Sequence, residues 1–136
     1  MNRLLSSQSL SAETGIALFR IIIGLFIAYH GLEVFNPAKM KEYAGWSVFN
    51  NSALMPYLGK GAELVAGVML ALGLLTRIAA IIIIGTFLYI TFFIGKGKFW
   101  MEDQHPFLFA LAGMLFLFTG PGPLSVDKVL FKKQNI

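Results

Sequence analysis

Two histidines and a few acids stand inside stretches that are otherwise apolar, and these are the side chains with chemistry to offer. His30 and Glu33 are three residues apart, Glu63 falls in a second apolar stretch, and His105 opens a fourth. An imidazole beside a neutral acid can give and take protons, as quinone or weak-acid chemistry requires. The same residue types hold divalent metals, but no stretch carries a paired spacing such as H-x-x-x-H. Each ligand would have to come from a different element, so no metal site is assigned. A third reading is a Glu–His hydrogen bond that only fixes packing. His30, Glu33, Glu63 and His105 are the ligand-binding candidates, and no catalytic residue is assigned.

Composition dictates the elements that must position them. Of 136 residues, 57% are apolar and 13% charged, against about 25% charged in soluble domains. A chain this short exposes much surface for its volume. A mean hydropathy of +0.72 therefore points to an integral membrane protein, a single domain over residues 1–136. Cysteine is absent, which excludes disulfides, thiolate metal centres and thiol catalysis. The net charge of +4 comes from scattered lysines and arginines, unlike a nucleic-acid surface. The expected partner is instead the lipid bilayer, with Lys128, Lys132 and Lys133 against anionic headgroups.

About 20 apolar residues cross a bilayer core of about 30 Å. Four stretches approach that length, at about 15–35, 57–75, 77–95 and 106–120. The expected fold is all-α: an antiparallel bundle of four transmembrane helices, with a short interfacial helix between spans 1 and 2. Asn36-Pro37 ends the first span, and Asn36 is placed to cap a helix over 37–46. Thr76 is expected to cap span 3 after a tight hairpin, and Gly120-Pro121-Gly122-Pro123 stops span 4. Arg20 interrupts the first apolar run and no small-x-small site follows, so a cleaved leader is not expected. An even number of spans puts both termini on one side. Five cations flank each side, so charge alone sets no orientation.

Charges within spans cost about 2.5–3.5 kcal/mol at the bilayer centre on insertion scales. Arg20 shares a helical line with Gly24, Ala28 and Gly31, and Glu63 shares one with Gly59, Gly67 and Ala71. Small residues at four-residue spacing let membrane helices approach closely, so both faces should turn inward and meet. Arg77, Ser125 and Asp127 lie toward the termini side, within reach of Arg20, as a structural ion-pair group. On the far side, His30, Glu33, Glu63 and His105 should line one cavity opening away from the termini.

Three strings follow one another in order: Arg20-x3-Gly24-x5-His30-Gly31, Glu63-x3-Gly67-x5-Gly73-x2-Thr76-Arg77, and Gly120-Pro121-Gly122-x2-Ser125-x-Asp127. Together they resemble the DoxX family of small four-helix membrane proteins, over roughly 19–127. Many relatives carry a lysine near the position of Val34, so any role of that lysine does not transfer. The resemblance implies a bacterial inner-membrane protein with cytoplasmic termini, a subunit or anchor of a redox or oxidative-stress complex. Implied partners are redox enzymes such as superoxide dismutase or a sulfurtransferase, with room for a homo-oligomer. It also implies a quinone or small sulfur compound within the bundle, while no resident cofactor is assigned. Two other functions stay open, a small-solute transporter or channel and a standalone membrane oxidoreductase. No flavin or haem pattern supports the oxidoreductase, and no internal repeat supports the transporter.

Overall fold

The computed structural model describes residues 3–50 and 52–131, and every regular element among them is helical. α1 (Ala12–Gly31) begins where the Ser11 hydroxyl accepts the Thr14 N–H at 3.4 Å, and it runs on as a 3-10 turn at Leu32–Phe35. Asn36 then takes up extended backbone, and its side chain accepts the Lys39 N–H to open α2 (Pro37–Ala44). A further 3-10 turn at Ser47–Phe49 leads into α3 (Leu54–Leu72). This helix starts at Leu54 rather than at 57, because Ser52 accepts the Met55 N–H and secures an additional turn. α4 (Thr76–Tyr89) passes into a π-helical stretch at Ile90–Ile94, and α5 (Gln104–Thr119) and the short α6 (Val126–Leu130) follow.

Among the described residues, two helices are long and apolar enough to cross a membrane: residues 12–35, with 24 residues, and 76–94, with 19. α3 matches the second in length but carries Lys60 and Glu63, and α5 has 16 residues. Large apolar side chains such as Leu18, Ile22, Leu25, Phe26, Ile78 and Ile81 are exposed on the outward faces, where lipid suits them and water does not.

Glycine sets the closest helix contact. A Cβ on Gly24 would stand 2.7 Å from Ala71 Cα, and one on Gly67 would stand 2.8 Å from Ala28 Cα. Gly31 meets Leu64 in the same antiparallel seam between α1 and α3. Gly59, expected on that face, has nothing within 4 Å of a would-be Cβ and lies outside the seam. α4 and α5 pack through Phe87 on Phe109, with ring centroids 5.1 Å apart, and through Gly113 against Ile83 and Ile84. Ile27, Ala66, Leu70, Ala80 and Phe116 fill the space between the pairs.

At the termini side the expected ion-pair group assembles without an ion pair. The Arg20 side chain is fully buried and donates to three backbone carbonyls, those of Pro121, Pro123 and Leu124. Asp127 instead caps α4, its two oxygens accepting the N–H groups of Leu75 (2.6 Å) and Thr76 (2.8 Å). This corrects the expectation for Thr76, which is the first helical residue and not the cap. Ser125 donates to the Gly122 carbonyl and caps α6 through the Lys128 N–H, while Arg77 donates to the Leu117 carbonyl. No Arg–Asp pair within 4 Å occurs among the described residues, where the ion pairs are Lys39–Glu42, Lys60–Glu33 and Lys60–Glu63. Lys132 and Lys133 lie outside the described residues.

Two outcomes are expected. Gly67→Ala should destabilise the protein by about 1–3 kcal/mol through overpacking, whereas Gly59→Ala should be neutral or slightly stabilising. Unfolding in detergent measures both, and equal behaviour would remove the seam. Asp127→Ala should cost about 0.5–2 kcal/mol, the scale of a lost helix cap. Asp127→Asn, which keeps one acceptor, should lose less.

Candidate functional site

The far end of the α1–α3 pair carries the ionisable groups. Glu33 lies in the 3-10 turn that prolongs α1, and Lys60 and Glu63 stand one turn apart on α3. Lys60 Nζ is 3.1 Å from Oε2 of Glu33 and 3.1 Å from Oε2 of Glu63. Tyr43, carried in by α2, donates its hydroxyl to that same Glu33 oxygen at 2.7 Å. One ammonium thus serves two carboxylates. The acids differ in setting: Glu63 is 3% exposed, while the Glu33 side chain keeps 32%. Burial, and then the bond to Glu33, push the Tyr43 hydroxyl well above the usual tyrosine range.

The histidines form a second pair beside this one. His30 on α1 and His105 in the first turn of α5 approach edge to face, with ring centroids 5.3 Å apart. Phe109 lies against both, at 6.0 Å from His30 and 4.8 Å from His105. Structure therefore brings the four expected residues to one end, but as two pairs: His30 with His105, and Glu33 with Glu63 through Lys60.

Neither of the two main cavities among the described residues is lined by all four. A cleft of about 490 Å³ opens between residues 43–49, α3 and α4, and of the four it takes only Glu63. An apolar groove of about 480 Å³ between α1 and α5 takes only His105. The reason is the path of the connection after α1. It packs on α3, with Met40 buried, and so supplies a wall made of Tyr43, Trp46 and Phe49.

Lys60 and Tyr43 are the residues that sequence reasoning missed. The spacing of Lys60 and Glu63 was the available signal, since residues three apart face each other on a helix. Tyr43 had no such signal, because its partner lies across the Asn36-Pro37 corner.

The model of the DoxX family matches residues 15–96. Two curated bacterial proteins are similar along most of the chain. One, from Haemophilus influenzae, is named "Uncharacterized protein"; it is 28% identical over 125 residues, covering 87% of this chain and 92% of its own. The other, from Bacillus subtilis, is named "Putative oxidoreductase CatD"; it is 29% identical over 134 residues, covering 92% of this chain and 94% of its own. No solved structure matches at a significant level.

The phenol of Tyr43 should ionise above the ordinary tyrosine value of about 10. A raised value means the neutral form is favoured in the folded state. The associated stability is complete below the unfolded-state value and is lost as pH rises through the folded one. Ultraviolet titration, taken as the difference between wild type and Tyr43→Phe, reads this directly. Glu33→Gln should move the curve back toward the ordinary value, and an ordinary curve in the wild type would refute the Tyr43–Glu33 bond.

Proposed function

We propose that this chain, which belongs to the DoxX family, works as a four-span membrane subunit of an oxidoreductase system. Four spans are supported by the way α3 and α5 pack beside the two long helices. By helical rise α5 is about 24 Å long, and modest tilt or bilayer thinning accommodates that length. The whole chain then acts as one membrane domain in a bacterial inner membrane, with the ends of α1 and α5 that meet Arg20 on the cytoplasmic side. Its role is to anchor a soluble redox enzyme, of the superoxide dismutase or sulfurtransferase kind, and to present a lipid-soluble ligand to it.

The observation that carries this reading is His105, which lines an apolar groove and stands 5.3 Å from His30. An imidazole N–H can donate to a quinone carbonyl, or return a proton to the reduced form. Leu108, Phe109, Leu111 and Leu115 provide an apolar track for a tail. In this role the chain supplies binding and proton transfer, and the electrons come from the partner enzyme.

In nanodiscs, decylubiquinone should raise the unfolding temperature of the wild type and have little effect on His105→Ala. Native extraction followed by mass spectrometry should recover an oxidoreductase with the chain. Recovery of the chain alone, together with an unchanged quinone response in His105→Ala, overturns the proposal.

A further inference from the structure

The cleft between residues 43–49, α3 and α4 shares no lining residue with the histidine groove. We propose that this cleft binds a lipophilic organic cation, an amine, quaternary ammonium or phosphonium on an apolar body, with Glu63 as its counter-ion. The proposal goes beyond the redox role and does not depend on it.

Charge decides the ligand class. Two carboxylates share one ammonium, so the Glu33–Lys60–Glu63 group carries one surplus negative charge when fully ionised. Glu63 is 3% exposed, and a charge so withdrawn from water is costly until something compensates it. An anion is repelled from such a place, and a neutral molecule leaves the surplus as it was. A cation removes it.

The walls suit the same guest. Tyr43, Trp46, Phe49 and Tyr89 line the cleft, and aromatic faces attract cations through their ring quadrupoles. Lys60 Nζ already lies 5.7 Å from the centre of the Tyr43 ring. Trp46 meets Tyr43 edge-on at 4.8 Å and stacks with Phe49 at 6.3 Å, so the aromatic wall is continuous. The rest of the lining is largely apolar, and the volume of about 490 Å³ falls within the usual range of small-molecule sites, about 300–1,000 Å³.

A proton can neutralise the same surplus, so proton and cation compete. The groups around Glu63 are Lys60 on its own helix, Glu33 from the 3-10 turn and Tyr43 from α2. His30 from α1 interacts with Lys60 and Glu33, and Lys39 and Glu42 act from further out on α2. Cation binding therefore weakens as pH falls.

The test uses full-length protein in nanodiscs of uncharged lipid, in a Trp100→Phe background so that Trp46 reports. Tetraphenylphosphonium should quench Trp46 saturably. Tetraphenylborate, of the same shape and opposite charge, and neutral triphenylphosphine oxide should not. Glu63→Gln should weaken cation binding by about tenfold or more, the scale of one desolvated charge contact, while Lys60→Gln should keep or tighten it. Gly85 lines the cleft and has nothing within 4 Å of a would-be Cβ, so Gly85→Phe should plug the site without disturbing the packing. Equal binding of the borate or the phosphine oxide, no saturable binding of the phosphonium, or unchanged binding in Gly85→Phe overturns the proposal. The quinone and cation measurements are read on different variants, so either proposal can fail alone.

Discussion

A guanidinium without water must find acceptors, and the rest of this protein is arranged around how Arg20 finds them. Its partners are backbone carbonyls at Pro121, Pro123 and Leu124. The Gly-Pro-Gly-Pro turn is bent so that these oxygens point inward, with positive φ at Gly120, Gly122 and Leu124. Glycine accepts that conformation freely, whereas Leu124 adopts it against its preference. Once the turn is clamped, Ser125 and Asp127 follow it into place, and Asp127 reaches the hairpin between α3 and α4. That hairpin is tight because Gly73 at φ 70 closes α3 and lets Ser125 approach. The clamp thus couples α1, α3, α4 and the end of α5 at one level.

From that level the glycine seam carries geometry to the other end. α3 lies against α1 through Gly24, Gly67 and Gly31 with almost no freedom to slide, because backbone atoms are in contact. Lys60 is therefore delivered beside Glu33, and Glu63 beside Lys60. The two ends treat charge in opposite ways. At the clamp, a cation is met chiefly by neutral carbonyl dipoles, with the Asp127 charge acting on it without a direct ion pair. At the far end, two acids compete for one ammonium. A cation held by several fixed carbonyls rigidifies its surroundings, even though Arg20 Nε has no acceptor, while an incompletely balanced group can respond to protons and ligands.

Much of the helical framework was legible because it rests on local rules. Apolar runs gave the long helices, Asn36 before Pro37 gave a cap and a corner, and four-residue glycine spacing gave the α1–α3 contact. Asp127 was legible as important but not in its role, since it serves main-chain groups some fifty residues away. The arginine–aspartate pairing failed for a related reason: carbonyl acceptors are invisible in a string of side chains. In the candidate site, positions along the helices brought His30, Glu33, Glu63 and His105 to one end but not into their two pairs. They could not place the cleft, whose wall is built by the packing of residues 43–49 on α3 and α4. Periodicity carries no information about that path.

The buried arginine also imposes an order on biogenesis. Its hydrogen-bond acceptors are separated from it by about a hundred positions in the chain. At about 5–20 residues per second of synthesis, the first helix waits several seconds for the turn that satisfies it. During that interval the guanidinium needs water, headgroups or an insertase beside it, because the apolar interior offers nothing equivalent. Final seating of the first span is therefore a late event, completed only after the fourth long helix has left the ribosome.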